Sequence, residues 1–193
     1  MAKRVWALSL MLVLTLPLAN VARAADYVID REGGHASIEF RVSHLGYSWL
    51  TGRFNQFDGW FRYDAEAPEQ ARVEVEIDPA SIDSNHAERD KHLRGKNFLH
   101  VQRYRVARFV GTGLRVLDKD RLLLSGKLTL HGYTRPIDIQ LREIGQGWDS
   151  QGNYRLGFSG SALINTSDFG MKSVLRKESR QVELILEIEG IRQ

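Results

Sequence analysis

The sequence predicts an all-β protein whose antiparallel strands, about eight of them, form one sheet that closes on itself. Three observations lead there. Apolar residues recur with a period of two through most of the chain. Turn residues separate these segments at even intervals, with mostly short connections. Residues 81–104 are the exception to the period, and they have the length of a connection. A long sheet that is apolar on one face must either pair with a second sheet or close. Closure is favoured because Gly126, Gly157 and Gly160 fall at strand positions, where glycine eases tight curvature.

In chain order, Ile38, Phe40, Val42 and His44 alternate with Ser37, Glu39, Arg41 and Ser43. An aromatic stretch from Phe54 to Tyr63 is expected to be the next strand, followed by Val73, Val75 and Ile77 between Arg72, Glu74 and Glu76. A shorter segment runs from Val106 to Val110. Leu122 to Leu130, Ile137 to Leu141, Leu156 to Ile164 and Val182 to Ile188 complete the series. Turns are expected at Gly33-Gly34, Ala67-Pro68, Asp118 to Asp120, Gly132 to Pro136 and Gly145 to Gly152. The alternation gives each strand one dry and one wet face.

Within the irregular segment, Asn85 is expected to cap a helix, with Glu88 able to reach back to it. His86 and Asp90, Glu88 and His92, and Asp90 and Arg94 are each four residues apart and so face one another on a helix. One or two short helices are expected here.

The amino terminus is expected to be a secretory signal peptide. Lys3 and Arg4 precede an apolar run from Val5 to Ala19, and Ala22-Arg23-Ala24 supplies small residues for cleavage after Ala24. The expected organisation is a signal peptide over 1–24 and one domain over 25–193, with the periplasm as destination. Without Lys3, Arg4 and Arg23, the 27 basic residues fall level with the 24 acidic ones. The net charge of +3 therefore belongs to the precursor, and nucleic acid is not an expected partner. The chain has no cysteine, so stability rests on burial and the backbone ladder.

Chemistry is sparse. His86 and His92 are six apart and lie on different helix faces, and no HExxH or cysteine motif is present, so no metal is expected. No Gly-x-Ser-x-Gly elbow occurs, and Ser167 to Gly170 matches a kinase triplet without its companion motifs. No catalytic residue or catalytic cofactor is expected. His44 shares the inward phase of its strand, His131 shares the outward phase of Lys127 and is expected to be solvated, and the direction of His35 is undetermined. Seven basic residues (Arg89, Lys91, Arg94, Lys96, Arg103, Arg105, Arg108) lie between positions 89 and 108, with Asp90 the one acid. They form either a solvated face or a basic rim for a phosphate group.

Ile38, Phe40, Val42, Phe57, Phe61, Val75, Ile77, Phe109, Leu128, Leu130, Phe158 and Ile164 are placed to point inward. An eight-strand barrel can be filled by such side chains or can hold one ligand. Four segments in order, "HASIEFRVSHLGYSWLTGRFNQFDGWF", "SNHAERDKHLRGKNFLHV", "GKLTLHGYTRPIDIQL" and "NTSDFGMK", together resemble the YceI-like family of polyisoprenoid-binding proteins. The resemblance implies an extended, lipocalin-like eight-stranded barrel with a helical segment across one end. It also implies an apolar tunnel for a polyprenyl pyrophosphate or an isoprenoid quinone tail. Arg89, His92 and Arg94 then become candidates for the head group, with Phe98, Phe169 and Met171 added to the apolar lining. Asn97, Arg105 and Thr166 depart from the family pattern and bear on the polar rim. The alternative is an enzyme acting on an isoprenoid or quinone through His44 and His92. Transient contact with a membrane surface or membrane complex is a further expectation, and a homodimer is left open.

Overall fold

The computed structural model describes residues 24–171 and 180–193. The expected signal peptide, apart from Ala24, lies outside the described residues. Eleven strand segments occur in the order β1 (Ala25–Ile29), β2 (Ser37–His44), β3 (Ser48–Phe54), β4 (Phe57–Tyr63), β5 (Arg72–Ile77), β6 (Ile82–Asp83), β7 (Ala107–Val116), β8 (Leu122–Leu130), β9 (Tyr133–Trp148), β10 (Tyr154–Asn165) and β11 (Gln181–Arg192). One short α-helix, α1 (Ala87–Leu93), lies between β6 and β7.

These segments make an eight-stranded closed antiparallel barrel because three of its staves are each built from two segments, β1 with β2, β4 with β3, and β5 with β6. β1 and β2 lie end to end along β11, with Val28 opposite Ile191 and Phe40 opposite Leu184. β4 and β3 follow them in the next stave. The meander then runs through β5, β7, β8, β9 and β10 to β11, which pairs with β1 and closes the sheet. Closure pairs most strand edges and leaves the start of β9, before Gln140, unpaired on its β10 side.

Several expected boundaries move, each for a local reason. β1 is an additional strand, short enough that its alternation is hard to distinguish. The aromatic stretch from Phe54 is broken at Asn55 and Gln56, so its first residue ends β3 and the rest forms β4. The turn expected from Gly132 to Pro136 shrinks to His131 and Gly132, both at positive φ, and β9 starts at Tyr133. Pro136 is tolerated in β9 because pairing with β10 starts only at Gln140, leaving that edge of Pro136 without a ladder partner. The strand expected to end at Val110 continues to Val116. The helix is capped by His86, whose Nδ1 accepts from the Arg89 amide at 3.3 Å. Asn85 instead adopts a left-handed turn with φ of 60°.

The glycines expected to ease curvature have two roles. Gly157 sits where the β9–β10 register shifts, a bulge that bends the wall. Gly126 gives Phe109 a flat bed, since a Cβ there would overlap the Phe109 ring.

The core fills one end of the barrel and leaves the other hollow. Tyr27 stacks on Phe61 at 4.9 Å, and Phe158 meets Phe61 and Tyr63 edge-on at 5.8 and 5.5 Å. Leu156 beside them is fully buried. Burial pushes the Tyr27 and Tyr63 phenols above their usual range. Outside this floor, Arg155 donates to Asp30, Asp149 and Glu189, each at 2.6 Å, and ties the β1–β2 and β9–β10 connections to β11.

Candidate ligand-binding site

Above the aromatic floor the inward residues enclose two cavities. The deeper one, about 120 Å³, is bounded by Phe61, Val75, Phe109, Leu124, Phe158 and Ile188, among others. The outer one, about 380 Å³, reaches the barrel mouth between Phe40, Val42, Leu50, Phe54, Leu93 and Met171. Ile38, Ile77, Leu128 and Leu184 border both, so the cavities are successive parts of one lumen with a constriction between them. The walls are apolar from floor to rim because one phase of nearly every strand supplies them.

Polar side chains border the lumen at its mouth. His44 ends β2, His92 and Arg89 come from α1, and Ser43 and Thr166 complete the set. Arg89 is held in place: its Nε donates to Ser84 Oγ at 2.8 Å and an Nη to the Ser84 carbonyl at 2.6 Å. Ser84 in turn donates through its amide and hydroxyl to the buried Asp90 at 2.9 and 2.5 Å. This network fixes the start of α1 over the opening. His92 lies edge-on to Phe98 at 5.0 Å, and His44 is exposed at the rim. Among the described residues neither imidazole is hydrogen-bonded to a carboxylate, the partner that would orient it as a general base.

Most of the residues expected to meet a ligand border the lumen. Ile38, Phe40, Val42, Phe61, Val75, Ile77, Phe109, Leu128 and Phe158 line it, with His44, Arg89, His92, Phe98 and Met171 at the mouth. Three do not. Phe57 is buried opposite Ile77 in the ladder and borders neither cavity. Phe169 is 1% exposed, buried as the last residue of the 3₁₀ turn that follows β10. Arg94 is turned to the carbonyls of Ala80 and Ile82 at 2.8 and 2.7 Å, which makes it a clamp on the β6 segment. Leu50, Phe54, Pro79, Ile82, Val182 and Leu184 join the wall without having been singled out. For Val182 and Leu184 the alternation was the available signal. Pro79 and Ile82 depend on a local turn that carries no periodicity.

The expected basic rim is partly neutralised. Arg108 pairs with Glu74 on the outer face of the sheet, and Lys91 lies 3.9 Å from Glu88. Lys96, Arg103 and Arg105 are exposed and make no ion pair among the described residues. His131 is not solvated as expected. It is half-buried in the β8–β9 turn, its Nδ1 lies 2.9 Å from the Phe169 carbonyl, and its Nε2 is buried without a partner among the described residues. His35 pairs with Asp30 at 2.9 Å. Asp30, His35 and Glu189 have the donor types of a small cation site, but the Arg155 guanidinium bridges both carboxylates.

An antiparallel eight-stranded barrel with a hollow apolar end and a helix over its mouth defines the lipocalin-like class. The YceI-like domain model matches residues 27–190, so the chain belongs to that family. A UPF0312 protein of Pseudomonas aeruginosa is 52% identical over 175 residues, 91% of each chain. BcnA of Burkholderia cenocepacia superposes with a TM-score of 0.74 at 19% identity, covering 83% of this chain and 98% of that one. A polyisoprenoid binding domain from Saccharophagus degradans, implicated in plant cell wall breakdown, superposes with a TM-score of 0.66 at 18% identity. That superposition covers 89% of this chain and all of the other. Both structures share the fold described here.

Proposed function

We propose that this chain is an exported periplasmic binding protein that holds a polyisoprenoid tail in its lumen. The observation that carries the reading is the lumen itself, apolar from floor to rim with polar side chains gathered at the mouth. The polyisoprenoid binding domain of Saccharophagus degradans supports it by sharing the fold. Each buried methylene of a tail contributes about 0.8 kcal/mol, so a branched hydrocarbon chain binds without needing a polar contact inside. The head group, a pyrophosphate or a quinone ring, stays at the mouth beside Arg89, His92 and His44. Binding rather than turnover is the reading that the family and the polyisoprenoid binding domain of Saccharophagus degradans support. Export with cleavage after Ala24 belongs to the same reading.

The constriction provides the test. Ile77→Trp places an indole where the two cavities meet. Titration with ubiquinone-8 or undecaprenyl phosphate in detergent micelles should show binding weakened about tenfold or more in this variant. His44→Ala should change affinity less than threefold, about 0.7 kcal/mol. A large loss in His44→Ala beside an unchanged Ile77→Trp would contradict the proposal.

A further inference from the structure

We propose that the tip of the β2–β3 hairpin is a membrane-docking element that seats the barrel mouth on an anionic phospholipid bilayer. Ser43, His44 and Leu50 border the outer cavity, so residues 45–49 between them project from its lip. Those residues present Tyr47 at 85% exposure, Trp49 at 60% and Leu45 at 41%. Tyrosine and tryptophan are the side chains that settle at a membrane interface, where one end of the ring is apolar and the other wet. The Arg41 guanidinium lies over the Trp49 ring at 4.9 Å and steadies it, its own charge being met by Glu183 at 2.5 Å.

The backbone of the tip gives a second, independent observation. The Tyr47 amide donates to the His44 carbonyl at 3.0 Å across a turn whose central residues, Leu45 and Gly46, have φ of 56° and 81°. Both positions of such a turn suit Gly, Asn or Asp. A leucine there is strained, and with 41% of its surface still exposed, burial within the fold only partly offsets that strain. Insertion of the exposed part into a bilayer would supply the rest.

Charge on the other lip selects the kind of bilayer. The connection from His92 to Arg105 carries no acidic residue and exposes Lys96, Arg103 and Arg105. Leu93, Phe98 and Leu99 of the same connection border the outer cavity, which puts the connection that carries these cations beside the opening. Juxtaposed basic and aromatic side chains match a surface of anionic headgroups over acyl chains. The proposal draws its purpose, delivery or capture of the tail at the membrane, from the lumen reading, but its evidence is separate.

Flotation with vesicles of phosphatidylglycerol and phosphatidylethanolamine, compared with phosphatidylcholine alone, tests it. The wild-type protein should float with the anionic vesicles. Tyr47→Ser/Trp49→Ser should reduce partitioning about tenfold. Lys96→Glu/Arg103→Glu/Arg105→Glu should abolish the preference for anionic lipid and its salt sensitivity. Leu45→Asn should lower partitioning while raising the melting temperature, which separates docking from misfolding. Trp148→Ser removes an equally exposed ring, 73% accessible, from the β9–β10 hairpin at the opposite end and should change nothing. Failure of the wild type to float would overturn the proposal, as would an equal loss in Trp148→Ser. A tip that instead holds two copies together, shown by dimers that Tyr47→Ser/Trp49→Ser dissociates without affecting flotation, would also overturn it. Ubiquinone-8 binding from micelles, measured on the same variants, is expected to survive, so the docking proposal and the lumen reading fail separately.

Discussion

Arg155 joins parts of the chain far apart in sequence, and its partners make the acid response of the barrel calculable in sign. Hydrogen bonds from Arg155 and His35 hold the Asp30 carboxyl at about 2, below its ordinary 3.8. Arg155, with the Asn153 amide, holds Asp149 lower as well. Groups depressed in this way favour folding above their unfolded pKa, and the contribution disappears as pH falls through the folded value. Stability should therefore drop between about pH 4 and pH 2. Arg155→Met should lower the melting temperature at pH 7 and flatten this acid limb, as followed by circular dichroism. A variant with an acid limb as steep as the wild type would contradict the assignment. Gly126→Val is a second residue-scale case: its side chain would displace the Phe109 ring, and overpacking of this kind costs about 1–3 kcal/mol in chemical denaturation. Residue roles of this sort were the least legible in the sequence. Arg94, a head-group candidate beside Arg89 and His92, is occupied by two backbone carbonyls, and no spacing rule announces that.

At the scale of elements, the strands with long alternation were legible because an apolar phase needs only a period and a face. Short or interrupted pieces were not. β1 has five residues, and β3 and β4 are separated by a two-residue break that composition does not mark. The helix was legible as an exception to the period, but its cap was shifted by one residue. Asn85 spends its amide on Asp83 at 2.9 Å and turns left-handed, which leaves His86 to meet the Arg89 amide. α1 is too short to be stable alone, so its place over the mouth depends on the Ser84–Asp90–Arg89 network. Asp90→Ala should leave the Ser84 amide and hydroxyl unsatisfied and cost about 2–3 kcal/mol. Hydrogen exchange should show the loss concentrated in 84–99. Uniform deprotection across all strands, with α1 no worse than the rest, would contradict a local role.

For the whole molecule, closure turns one-faced strands into a hollow with a single chemistry inside. The sequence settled that the inner phase was apolar but left open whether side chains or a ligand fill it. That question belongs to volume, which depends on the taper of the barrel and on rings such as Phe61 and Phe158 packing at the floor rather than along the whole axis. The result is a closed, filled end and an open, lined end, with head-group candidates where tail and water meet. Native mass spectrometry of the protein extracted gently from its producing cells tests the central claim most directly. The account predicts a second species heavier by the mass of one isoprenoid lipid, released as a polyprenyl chain or quinone on activation and missing from Ile77→Trp. Recovery of the bare polypeptide mass alone, with none gained after incubation with ubiquinone-8 or undecaprenyl phosphate, would contradict it.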